Sequence, residues 1–240
     1  MIDYLKEIVG YTHSLGFLEL VKVTGTRNET TLMSIASDRS VFLSSKFKTP
    51  LAEMVGVFGM NDLGRLATIL NIPEYKENAN IQINYIRDEP VSISFNNMAD
   101  DFKNEYRFMS RQIIETQLPD KTRKTIHWDI SIIPSLQSIM KLKYQAQAVG
   151  NAVGTFQVRT NNQNLLFSLG DKSSHTGEFV FSHNIHGSLK TPRSWPLSQV
   201  QGILNLHGDK TIDISDNGIM QIVVNSGLAE HQYSIFASII

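Results

Sequence analysis

His183 and His186, in the run Ser-His-Asn-Ile-His, are the closest pair of imidazoles in this 240-residue chain. Two imidazoles could hold a divalent metal, but on an extended segment residues three apart point to opposite faces. No neighbouring carboxylate or third histidine completes a set, so a surface loop is expected there. Asp100-Asp101 offers hard oxygen ligands, yet it follows Asn96-Asn97 and reads as an acidic loop tip. Gly56-Val-Phe-Gly59 lacks both the spacing and the Lys-Ser/Thr of a phosphate-binding loop. No serine sits in a nucleophile-elbow sequence. The chain has no cysteine, which excludes disulfides and thiolate metal sites. These residues assign no catalytic group, no metal ligand and no cofactor, and the chain is expected not to be an enzyme. An enzyme with a noncontiguous site is the alternative that spacing does not reveal.

The elements that would position any site are marked by a phrase that occurs four times: apolar-x-x-apolar-x-x-apolar-apolar. Its copies are Ile2/Leu5/Ile8-Val9, Leu63/Leu66/Ile69-Leu70, Ile133/Leu136/Ile139-Met140 and Leu197/Val200/Ile203-Leu204. At helical pitch these positions form one apolar stripe, so each copy predicts a helix lying flat on a hydrophobic surface. The first two copies start 61 residues apart and the last two 64, while offsets of 131 and 134 carry the first pair onto the second. That spacing points to a tandem duplication with two helices per half.

Short alternating runs between turn residues predict strands at Phe17–Val23, Thr31–Ile35, Ile81–Ile86, Val91–Phe95, Thr155–Val158, Asn164–Ser168, Glu178–Phe181, Thr211–Ile214 and Ile219–Val224. Asp216-Asn217-Gly218 predicts a hairpin with a type I′ turn, and Arg87-Asp88-Glu89-Pro90 is its counterpart. Tyr106–Ile114 and Tyr233–Ile240 read as matching closing strands. Thr125–Asp129, containing Trp128, should open the second half, and the first half has no room for its equivalent. The fold class is therefore α+β, with antiparallel sheets and two helices on one face of each half. The expected boundaries are 1–114, a polar connector at 115–124 containing Pro119, and 125–240.

With the stripes inward, the opposite helix faces carry Asp3, Glu7 and Gly10; Gly64, Thr68 and Asn71; Pro134, Ser138 and Lys141; and Ser198, Gly202 and Asn205, flanked by Lys6 and Arg65. Such faces suit ordinary solvent or weak contact with a smooth polar partner. The net charge of −1 gives no overall basic field for nucleic acid. No apolar run reaches the roughly 18 residues of a membrane span, no secretory signal opens the chain, and a cytoplasmic protein without a membrane partner is expected.

In pattern and order, the segments Asn61–Leu70 with the Ile81–Phe95 hairpin, Ile130–Lys143 after Thr125–Asp129, and the closing Tyr233–Ile240 resemble the DNA polymerase sliding clamps. The likeness is nearest to the two-domain clamps of T-even-type bacteriophages, in the PCNA-like family. The resemblance spans essentially the whole chain, and an acidic tail such as these phage clamps can carry is not expected. It implies a homotrimeric ring of six domains whose helices surround duplex DNA and tether the replicative polymerase, a non-enzymatic processivity factor for DNA replication. An ATP-dependent clamp loader would open the ring.

A ring holds DNA by topology, so it needs few of the phosphate contacts on which tight binders depend. The DNA-facing candidates under this resemblance are Lys6, Arg65, Lys141 and Lys143, with Lys22, Arg27 and Lys210 on loops near the ends of the hole. Leu118 and Pro119 in the connector are the candidates for a partner-peptide pocket. A viral structural or assembly protein built from the same duplicated unit, without DNA encirclement, is the alternative function.

Overall fold

The computed structural model describes residues 1–76, 79–120, 125–150, 154–170 and 175–238. The chain forms two compact units, Met1–Thr122 with Gly227–His231, and Arg123–Ser226 with Gln232–Ile240.

Unit 1 opens directly on helix α1 (Ile2–Gly10), followed by strands β1 (Val21–Gly25), β2 (Thr30–Ile35), β3 (Val41–Phe47) and β4 (Gly56–Met60). Helix α2 (Leu63–Leu70), strands β5 (Asn80–Ile86), β6 (Glu89–Asn96) and β7 (Lys103–Arg107), and helix α3 (Arg111–Gln117) complete it. The strands lie in the orders β4-β1-β2-β3 and β5-β6-β7, and each neighbouring pair runs antiparallel. The stripes of α1 and α2 are buried as the sequence predicts: Leu5, Ile8, Leu63 and Leu66 are fully buried over Phe58, Ile93 and Phe95. Burying one such side chain contributes about 1.5–3 kcal/mol. Tyr75 and Tyr106 bring hydroxyls into this core and satisfy them, Tyr75 donating to Asn104 Oδ1 at 2.8 Å and Tyr106 to the Asn61 carbonyl. Gly25 is required by close approach, since a Cβ there would lie 1.6 Å from the Met54 carbonyl oxygen. Pro73 ends the α2 region by holding Ile72 in extended geometry (φ −63°, ψ 126°).

Unit 2 contains β8 (Ile130–Ile132), helix α4 (Leu136–Val149), β9 (Thr155–Asn161), β10 (Asn164–Leu169), β11 (Gly177–Ser182) and β12 (Arg193–Pro196). Helix α5 (Leu197–Leu204), β13 (Asp209–Ser215), β14 (Ile219–Asn225) and β15 (Ala229–Phe236) follow. The first residues of β15 belong to unit 1 and the rest to unit 2. Strand orders are β11-β10-β9-β12 and β15-β14-β13-β8. The core holds Phe156, Phe167, Phe181 and Trp195, whose indole N–H donates to the Ile235 carbonyl at 3.3 Å.

Several expectations are corrected. Tyr106–Ile114 is not one strand: β7 stops at Arg107, and Arg111–Gln117 is helical, with Arg111 Nε donating to Glu115 Oε1 one turn on at 2.9 Å. The opening strand of unit 2 is Ile130–Ile132 rather than Thr125–Asp129, so Trp128 precedes it. Phe17–Val23 is displaced to Val21–Gly25.

The third helical stripe is rotated. Ser135 caps α4 by accepting from the Ser138 amide at 3.0 Å, which leaves Ile133 before the helix. Ile133 and Leu136 are 82% and 76% exposed, and the buried line runs through Leu142 instead. The turn types are exchanged as well. Between β13 and β14 only Gly218 has positive φ, and its amide donates to Ser215 O at 3.0 Å, a three-residue loop rather than a type I′ turn. Type I′ geometry belongs to Arg87-Asp88 (φ 51° and 64°) and to Asn162-Gln163 (φ 46° and 61°). Residues 121–124 of the expected connector and the last two residues of the closing strand lie outside the described residues.

Candidate nucleic-acid interface

In unit 1 α1 and α2 pack against each other. Their buried stripes leave Asp3, Lys6, Arg65, Thr68 and the following Asn71 exposed. Two of the polar groups turn back onto α2 itself: Thr68 Oγ1 donates to Gly64 O at 2.9 Å and Asn71 Nδ2 to Ala67 O at 2.9 Å. Arg65 stays 69% exposed beside Asp62, with Nε 3.2 Å from Oδ2, a contact that solvent weakens. The His13 ring lies over the start of α2, where a Cβ on Gly64 would meet it at 3.4 Å, an ordinary van der Waals contact. His13 Nδ1 in turn meets Glu19 at 2.9 Å.

Glu7, expected to point outward, does not. Its carboxylate is 2.9 Å from His231 Nε2 and its side chain is 10% exposed. His231 Nδ1 lies 2.8 Å from Ser45 Oγ, and the imidazole stacks on Tyr11. The network pins α1 to β3. No spacing in the sequence announces it, because its members lie at opposite ends of the chain.

In unit 2 the stripe of α5 is buried at Leu197, Val200, Ile203 and Leu204, leaving Ser198 and Asn205 exposed. Lys143 on α4 is exposed and Lys141 partly buried, because the rotated stripe brings the latter toward the unit. Between α4 and α5 a groove of about 420 Å³ is lined by Leu142, Lys143, Ala146, Leu197 and Gln201. Gln201 Nε2 reaches the Leu142 carbonyl across it at 3.5 Å.

Three of the other candidates have different surroundings from those expected. Lys22 is not on a loop: it lies within β1, 2% exposed, with Nζ 2.8 Å from Asp120 Oδ1 and 3.4 Å from Leu118 O. Lys210 is the second residue of β13 rather than part of a loop, and its Nζ donates to Leu206 O at 2.5 Å and Gly208 O at 2.8 Å. Burial lowers the Lys210 pKa, with Asp209 acting in the opposite sense. Leu118 is 5% exposed at the end of α3, whereas Pro119 beside it is exposed. Arg27 is exposed in the β1–β2 turn, as a loop cation should be.

His183 Nδ1 meets Asn164 Oδ1 at 2.9 Å, and no group of three potential metal ligands occurs among the described residues. No described helix is long and apolar enough to cross a membrane.

No protein-family model matches the sequence, and no curated protein gives a significant sequence match. Solved structures do match. The structure of the C-terminal region of FEN-1 bound to A. fulgidus PCNA superposes with a TM-score of 0.74 at 8% identity, over 100% of this chain and 96% of that one. PCNA from Thermococcus kodakaraensis gives a TM-score of 0.67 at 10% identity, over 99% and 97%. The protein thus has the PCNA-like DNA-clamp fold, two tandem α+β units built on antiparallel sheets.

Proposed function

We propose that this protein is a DNA polymerase sliding clamp of the T-even phage type, three copies of which close into a ring around duplex DNA and tether the replicative polymerase. The observation that carries the proposal is the full-length match of both units to PCNA. In each unit at least one helix also buries its apolar stripe and turns a small, polar face outward. Such faces suit a partner that slides. Lys6, Arg65, Lys143 and Arg27 are the exposed cations for brief phosphate contact, with partly buried Lys141 beside them. Lys22 and Lys210, engaged within unit 1 and unit 2 respectively, contribute to folding rather than to DNA.

Residues 1–114 and 125–240 act as the two clamp domains, joined by 115–124. The A. fulgidus protein is bound by the C-terminal region of FEN-1. By analogy, replication proteins dock a short peptide beside the connector, with Pro119 as its exposed contact. An ATP-driven loader opens the ring in the host cytoplasm.

Light scattering at micromolar concentration should give a trimer, and the protein should extend the length of products made by its polymerase on primed DNA. The triple variant Lys6→Glu, Arg65→Glu, Lys143→Glu should remain trimeric with an unchanged melting temperature, yet lose processivity. A protein that stays monomeric across a concentration series would end the ring proposal. A trimer whose triple variant supports full processivity would remove these cations from the DNA face.

A further inference from the structure

In unit 2 the outer edge of β13 is covered by β8. Ile212 faces Ile132, Asp213 faces Ser131 and Ile214 faces Ile130, and the Asp129 amide extends the ladder to Ile214 O at 2.9 Å. Ile130 and Ile132 are 1% and 9% exposed, and the two isoleucines of β13 they cover are fully buried.

Unit 1 repeats the hairpin as β5 and β6, but β5 ends its sheet, and among the described residues no strand lies along its outer edge. The consequences are visible in the side chains. Ile81 and Ile83 pack against the core only partly buried, and Ile86 is 62% exposed. The strand reads Asn-Ile-Gln-Ile-Asn-Tyr-Ile, without the charge, proline or glycine that blunts a free edge. The opposite edge, β7, is Lys-Asn-Glu-Tyr-Arg, charged at three of five positions. One edge of this sheet is protected and the other is not.

We propose that the outer edge of β5 is a strand-addition site for an extended segment of a partner polypeptide. The segment is uncharged, with aliphatic residues at alternate positions and a small polar residue between them. The chain supplies the template: Ile130-Ser131-Ile132 is such a segment, seated on the corresponding edge of the other unit. The incoming backbone pairs with the free amides and carbonyls of β5, and its aliphatic side chains cover Ile81 and Ile83. A neutral edge selects against a charged segment, which would lose hydration without gaining a counter-charge. The proposal rests on the folds of the two units taken singly and does not depend on ring formation.

The probe is a synthetic nonapeptide with the sequence of residues 125–133, blocked at both ends and with asparagine in place of Asp129 so that it is uncharged at about pH 8, added to the full chain and followed by hydrogen exchange. A control peptide carries aspartate in place of both isoleucines of the Ile-Ser-Ile segment. Exchange at Asn80–Ile86 should slow by about tenfold or more with the probe and not with the control. The double variant Asn80→Lys, Gln82→Lys, altered at two exposed positions, should lose that protection while its melting temperature stays the same. Protection retained in the folded double variant would overturn the proposal, as would no protection of β5 by the probe. Protection confined to Asp209–Ser215 would show the peptide exchanging with β8 and would also overturn it. Concentration-dependent protection of β5 without peptide would make a second copy of this chain the occupant, against the proposal.

Discussion

The imidazole of His231 lies parallel to the ring of Tyr11, with centroids 4.1 Å apart and planes 6° from coplanar. This stack holds the ring between Ser45 on β3 and Glu7 on α1, so a fully buried histidine fixes the first helix against the sheet of unit 1. Replacing it with alanine opens a cavity and leaves a carboxylate only 10% exposed without this imidazole. His231→Ala should therefore cost about 2–4 kcal/mol in urea unfolding. A loss below 0.5 kcal/mol, roughly the scatter of surface substitutions, would show that the network does not secure the helix.

The rotated stripe of α4 makes two leucines that look alike in the sequence behave differently. Leu66 is fully buried, and Leu66→Ala should destabilise by about 2–5 kcal/mol. Leu136 is 76% exposed, and Leu136→Ala should stay within about 0.5 kcal/mol of the parent. Equal losses in chemical denaturation would contradict the burial of these two helices.

Lys22 gives a test of charge burial. Its ammonium is enclosed, while its partner Asp120 is 85% exposed. Asp120→Ala leaves the buried cation with the Leu118 carbonyl and should cost about 1–3 kcal/mol. Lys22→Met keeps the stem and removes the charge, so it should be tolerated better than Asp120→Ala. The reverse order of melting temperatures would mean that the ion pair is net stabilising.

Glu178 predicts a pH dependence. Hydrogen bonding from Ser168 first, then from Arg159, lowers its pKa below the ordinary 4.5. A carboxylate lowered on folding adds stability that is fully present above the unfolded pKa and is lost as pH falls through the folded value. Thermal scans descending from pH 5 should therefore show a shallower decline for Glu178→Gln than for the parent. Parallel curves would exclude a contribution from this site.

Three of the four helices expected from the repeated phrase were legible because burial of one stripe demands its period, and α1, α2 and α5 have no competing signal. In α4 a stronger local signal won. Ser135 satisfies a free amide at the helix start, and Pro134 precedes it, so the helix begins three residues after Ile133 and its inner line shifts to Leu142. Arg111–Ile114 reads as the end of a strand because it follows the alternation of Tyr106 and Phe108 and is too short to display a helical period of its own. The surface cations could be named from composition, but their availability could not. Lys22 and Lys210 find their oxygen partners only after the chain has folded, and Asp120 lies 98 positions from Lys22.

The tight reversals at Arg87-Asp88 and Asn162-Gln163 reach left-handed backbone angles without any glycine. Side chains in that region cost roughly 1–2 kcal/mol per residue, less for Asn and Asp. Asp88→Gly and Gln163→Gly should each relieve part of that cost, raising the midpoint of thermal melting by about 2–4 °C per kcal/mol recovered in a chain of this size. The two hairpin tips thus hold an untapped margin of heat resistance, open to engineering without touching a helix face or the core.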